Sequence, residues 1–224
     1  MSIETVRTML SQGWLLGVWL SLACLSCVVL LNDLHRLNNR IGSMMKAVWF
    51  MTVLYSGPLG LLIYFYSGRS QIRRDSLWRK GFRSVAHCYS GCGAGEVTGV
   101  IIAAGLLSLG NTGISVITFC FAYVFGYGMT LGPLLQDGVP LTKALVDTLY
   151  SDTATIAVME ITAISMDLWL AASATMNQPL FWNSLILSLT VGLVAAYPVN
   201  VLLVMLGIKG GMGDPRDTNI PHQH

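Results

Sequence analysis

The sequence predicts an all-α protein, a polytopic membrane bundle of about six transmembrane helices. Three observations carry this. Of 224 residues, 54% are hydrophobic and only 11% are charged, against about 25% charged in a soluble domain. So little charge does not coat a protein of this size unless lipid covers much of it. Apolar runs recur at the length a bilayer demands, since a hydrocarbon core of about 30 Å needs roughly 20 residues at about 1.5 Å each. The charges that do exist collect in a few short stretches between those runs.

The first run, residues 14–31, carries Trp14 and Trp19 toward one interface. It reads as a retained helix. Only Arg7 and Glu4 precede it as charges, the run exceeds the roughly 7–15 apolar residues of a signal peptide, and no small-x-small site follows. Ser21-Leu22-Ala23 before Cys24 lacks the leucine expected three residues ahead of a lipidated cysteine. A polar connector at 33–46 leads to a second span at 47–66, where Gly57-Pro58 should kink the helix because proline removes a ladder hydrogen bond. Residues 67–85 are the most charged part of the chain, with Arg69, Arg73, Arg74, Arg79, Lys80 and Arg83 against Asp75. The phase of Ile72, Leu77, Trp78 and Phe82 suits an amphipathic surface helix, and a solvated loop is the equal alternative.

The third span is expected at 92–109 and the fourth at 114–131, joined by Gly110-Asn111-Thr112-Gly113 as an antiparallel hairpin. Residues 134–150, with Asp137, Pro140, Lys143 and Asp147, read as a surface helix entering a fifth span at 153–174. A turn at Asn177-Gln178-Pro179 opens the sixth, 181–207, which contains Tyr197-Pro198. A polar tail holds Arg216, His222 and His224. The expected division is 1–82 for two helices and a basic loop, 83–212 for a four-helix membrane domain, and 213–224 for the tail. Six crossings put both termini on one side together with ten basic residues, leaving Arg36, Arg40 and Lys46 on the other. The positive-inside rule then places both termini in the cytoplasm of a cell whose plasma membrane holds the protein.

No extended basic face is available for nucleic acid. Five cysteines at mostly apolar positions do not make a secreted disulfide framework. No His-Glu-x-x-His sequence or serine–histidine arrangement supports a hydrolase.

The chemistry-bearing stretch is 83–99. On a helix, residues four apart stack, so Cys88, Cys92 and Glu96 share one stripe, and Gly91, Gly95 and Gly99 share the next with His87 at its edge. Small residues at this spacing let another helix backbone approach closely, and this face is expected to receive another copy or a membrane partner. Thiols, an imidazole and a carboxylate are ligand types for copper or zinc. The metal set drawn from them is His87, Cys88, Cys92 and Glu96, with Glu160 opposite. The plain alternative makes both cysteines small apolar fillers and His87 an interfacial hydrogen-bonder. A third reading is thiol redox chemistry, which wants an activated thiolate.

Glu160 stands mid-span among apolar residues, where a charge costs several kcal/mol on most scales and normally faces a bundle interior or a partner. Glu160 facing Glu96, with Asp152 and Asp147 nearer the cytoplasmic end, would line a path for a cation or a proton. Asp167 reads as interfacial beside Trp169.

The pattern Ser84-x-x-His87-Cys88-x-x-Gly91-Cys92-x-x-Gly95-Glu96-x-x-Gly99 resembles the signature of a bacterial and archaeal membrane domain of unknown function. Residues Phe121-Ala122-Tyr123-Val124-Phe125-Gly126-Tyr127-Gly128-Met129-Thr130, then Asp147-Thr148-Leu149, Tyr197-Pro198-Val199-Asn200 and Gly207-Ile208-Lys209 continue the resemblance over 83–212. It implies a four-helix membrane unit, sometimes joined to cupredoxin or copper-oxidase modules, with His87, Cys88, Cys92, Glu96, Asp147 and Asn200 as its motif residues. The chain departs from that pattern at Tyr150, where serine is common, and at Asp152, an added acid. Three functions follow as expectations: binding or transport of a metal cation or proton, a non-catalytic scaffold, and a thiol-redox protein.

Overall fold

The computed structural model describes residues 2–136, 138–171, 173–212 and 214–216; Asp137, His222 and His224 lie outside them. Among the described residues the regular structure is helical: α1 (Ile3–Leu10), α2 (Gly13–Arg36), α3 (Ser43–Ser67), α4 (Leu77–Val100), a π-helical turn (Ile101–Leu106), α5 (Asn111–Gln136), α6 (Leu141–Ala171) and α7 (Pro179–Met205). By length and composition α2, α3, α5, α6 and α7 are apolar enough to cross a membrane. The expected polytopic helical membrane bundle stands.

The exception, α4, is the centre of the bundle. Sixteen of its 24 residues are buried, including every one from Arg83 to Gly93. Helices α3, α5, α6 and α7 pack around it. A helix too polar for lipid is stable there because its neighbours, not acyl chains, surround it.

Helix α4 begins at Leu77, well before the expected start of the third span, and takes in Arg79, Lys80 and Arg83, half of the six basic residues of that stretch. The reason is Arg83, which is 1% exposed. Its guanidinium donates to Asp75 Oδ1 at 3.0 Å and Oδ2 at 2.6 Å, to the Ser67 carbonyl at 3.1 Å and to the Gly211 carbonyl at 3.1 Å. A paired, fully bonded arginine no longer needs water. Likewise the expected surface helix and fifth span are one continuous helix, α6.

Helix α3 doubles back on itself. Gly57 has φ +53° and ψ −127°, a conformation L side chains rarely adopt, and Pro58 follows it. The two halves, 43–56 and 58–67, pack side by side. Trp49 and Tyr64 meet edge to face at 5.4 Å, and a Cβ at Gly60 would fall 2.8 Å from the Thr52 carbonyl and 3.0 Å from the Val53 Cα. On a straight helix Gly60 would lie about 10–12 Å from Thr52 and Val53. The tip at Gly57 rests on Trp19 and Ala23, midway along α2. Both ends of α3 return to the end of α2, where Asp33 accepts hydrogen bonds from Tyr64 Oη (2.7 Å), Arg69 Nη2 (2.6 Å) and Asn38 Nδ2 (2.8 Å).

The two termini, expected from the sequence on one side, pack at opposite ends of the bundle. Arg7 Nη2 donates to the Trp169 carbonyl and Asn183 Nδ2 to the Leu10 carbonyl, each at 2.7 Å, so α1 sits at the α6–α7 turn. The segment after α7 packs at the other end, through Gly211 on Arg83 and Arg216 Nη1 on the Arg73 carbonyl at 3.2 Å. Helices α2, α4, α5, α6 and α7 run between the two ends, and α3 enters and leaves by one of them.

Candidate functional site

The glycine stripe of α4 is spent inside the chain. A Cβ at Gly91 would meet Met129 at 2.9 Å and Gly126 at 3.0 Å. At Gly95 it would run into the Phe121 carbonyl, and at Gly99 it would meet the Thr118 Cα at 2.8 Å. Helix α5 therefore occupies the face expected to receive another copy or a membrane partner. The close approach makes α4 and α5 the antiparallel hairpin read from the sequence.

With α5 on the glycine face, the neighbouring stripe of α4 faces α6. Cys88, Cys92, Glu96 and Glu160 are 3%, 0%, 3% and 0% exposed. Cys92 lies close to Cys88 and to the Glu160 carboxyl, and Glu160 interacts electrostatically with Glu96 and Cys88. Among the described residues neither oxygen of Glu160, nor Glu96 Oε2, has a well-formed hydrogen bond. Gly126 of α5 and Ile156 of α6 close the wall beside the Cys92 sulfur. Further along, Glu96 interacts with Asp167, which accepts from Ser184 Oγ at 2.8 Å. Both acids line a recess with Asn111 and Thr118 toward the α6–α7 turn. Asp167 thus turns inward, where the sequence suggested an interfacial role.

His87 belongs to a second cluster. Consecutive residues of a helix point about 100° apart, and the imidazole of His87 faces Asp152 and Lys209 rather than the thiols. Lys209 Nζ stands 2.8 Å from Asp152 Oδ1, 3.0 Å from Asn200 Oδ1 and 3.3 Å from Thr155 Oγ1. Ser84 Oγ donates to the same Asn200 oxygen at 2.8 Å. The cluster borders a cavity of about 320 Å³ at the α7 exit end, with exposed Asp147 and Tyr150 at its mouth.

The residues named as one metal set therefore fall into two levels. Among the described residues no three His, Cys, Asp or Glu side chains converge in a way that would hold a metal ion. Lys209, Thr155 and Ser84 are the additions the structure makes. The buried thiols also lack the access that redox exchange requires.

The family model of a domain of unknown function, DUF4396, matches residues 77–209. The chain belongs to this family. In this DUF4396 protein the match opens on the first residue of α4 and closes on Lys209, so both clusters fall inside it and α1–α3 fall outside. No curated protein and no solved structure matches the chain.

Proposed function

We propose that this DUF4396 protein moves protons through its bundle interior, along protonatable groups running from Asp152 and His87, past Cys88, Cys92 and Glu160, to Glu96 and Asp167. The observation that carries the reading is Glu160. It is wholly buried at mid-helix with neither oxygen hydrogen-bonded among the described residues, and it faces a second acid and two thiols. Ionisable groups at membrane depth are expensive and mark ion pathways and proton relays. The unit doing this is α4–α7, with α1–α3 as its cover.

Orientation follows from charge. Twelve of the thirteen Lys and Arg residues lie at the end of the bundle that holds the 37–42 and 68–76 connections and the segment after α7; only Arg7 lies at the other. The positive-inside rule assigns the twelve to the cytoplasm, which puts Ser2 outside it and Arg216 within.

The test is reconstitution into liposomes loaded with a pH-sensitive dye, with an imposed membrane potential. Wild-type protein is expected to acidify or alkalinise the lumen faster than protein-free vesicles, and Glu160→Gln to abolish the difference. Flux equal to that of empty vesicles, or unchanged flux in the variant, overturns the reading.

The proximity of Cys88 and Cys92 favours a second reading, since two soft thiolates suit Cu(I). It predicts one copper per chain, lost in Cys88→Ser/Cys92→Ser.

A further inference from the structure

The protein already holds an ammonium group in a ring of oxygens. Lys209 Nζ contacts Asp152 Oδ1, Asn200 Oδ1 and Thr155 Oγ1 at 2.8, 3.0 and 3.3 Å, so all three of its N–H donors have an acceptor. Lys209 is not on a helix. It belongs to a strap after α7 that turns at Gly207 and Gly211, both at φ +72°. The strap is held at Gly211 by Arg83.

Beside this ring lies the 320 Å³ cavity, within the size range of small-molecule sites. Two of the residues lining it carry an unpartnered atom: His87 Nε2 and Asp152 Oδ2 have no hydrogen-bond partner among the described residues, in residues 4% and 5% exposed. The carboxylate oxygen is an acceptor, and a neutral imidazole offers one as well. The lining carries two carboxylates, Asp147 and Asp152, against one ammonium. An anion finds no free donor on Lys209, whereas a small cation bearing N–H groups finds acceptors and a net negative wall.

We propose that this cavity binds a small ammonium-class cation, ammonium itself or a primary amine, at Asp152, and that Lys209 is a tethered occupant of the same oxygen set. The ligand and Lys209 compete for one carboxylate, so the strap sets how readily the cavity fills. This extends the reading of the interior as a cation path by naming what its cytoplasmic mouth accepts.

The experiment uses the full chain in detergent micelles and compares thermal unfolding in methylammonium chloride with sodium chloride and tetramethylammonium chloride at equal ionic strength. Lys209→Met leaves Asp152 unpaired and is expected to melt lower in sodium chloride. Methylammonium should return at least about 2–4 °C, and tetramethylammonium, which has no N–H, should return nothing. The neutralised double variant Lys209→Met/Asp152→Asn should not respond, and the wild type should respond weakly. A Lys209→Met shift no larger in methylammonium than in sodium, or an equal shift in the double variant, overturns the proposal. Should Lys209→Met not fold in any of these salts, equilibrium dialysis of radiolabelled methylammonium decides. Binding to wild type at least fivefold above the double variant supports the site, and equal binding overturns it. Glu160→Gln, expected to lose proton flux, should keep methylammonium binding. Binding without flux in wild type sinks only the proton reading, and flux without binding sinks only this one.

Discussion

Lys209 Nζ and Asp152 Oδ1 stand 2.8 Å apart with both side chains less than a tenth exposed, tying the strap after α7 to the interior of α6. Breaking such a pair from one side leaves a lone charge away from water, which costs about 3–5 kcal/mol, whereas neutralising both partners is often nearly free. Lys209→Met and Asp152→Asn should each lower the unfolding temperature in sodium chloride, and the double variant should recover most of the loss. Additive losses in this double-mutant cycle would contradict the pairing.

Gly95 meets α5 at the tightest point of the hairpin, where an added Cβ would run into the Phe121 carbonyl and lie 2.6 Å from the Ala122 Cα. Backbone cannot swing aside as a flexible side chain does. Gly95→Ala should cost about 1–3 kcal/mol, read as a lowered melting temperature. Gly110→Ala, with open space at its Cβ, serves as the near-neutral control.

The reversal at Gly57 predicts an odd number of crossings. Epitopes inserted after Ser11 and after Asn39 should be reached by antibody from opposite sides of the membrane, and epitopes after Asn39 and after Gln71 from the same side. Accessibility of the 39 and 71 insertions from different sides would show that α3 crosses.

Asp75 lies outside the membrane-spanning helices and reports on pH. Burial alone would raise its carboxyl, but the hydrogen bonds and charge of Arg83 outweigh that and hold it below the usual range. A depressed folded-state value means the stabilisation is present above the unfolded value near 4 and is lost as pH falls through the folded value. Asp75→Asn should therefore cost about 1.5–3 kcal/mol at pH 7. The gap between variant and wild type should close as the buffer is taken below pH 4, followed by circular dichroism. A gap that widens on acidification would contradict the assignment.

Much of the architecture was legible because apolar length is a local property. The runs that became α2, α5 and α7 needed only their own residues to be read, and Glu160 could be matched to Glu96 from depth alone. What escaped depends on partners distant in the chain. Arg83 reads as a loop residue until Asp75 and the Gly211 carbonyl neutralise it, and Asp152 interrupts an apolar run until Lys209 arrives. Hydropathy also cannot tell a 25-residue run that crosses from one that folds in half. Gly57-Pro58 signalled a bend, and its angle is set by contacts such as Trp49 on Tyr64. His87 and Cys88 are adjacent in sequence, and helix geometry alone sends them to different clusters.

The enclosure of α4 bears on how the molecule is made. A newly synthesised segment carrying Arg83, His87 and Glu96 gains little by partitioning into lipid unaccompanied, so its release is expected to wait for the later helices that enclose it. Ribosome-bound chains halted just beyond the π-helical turn should remain with the insertion machinery, and those that have completed α7 should be released to the bilayer.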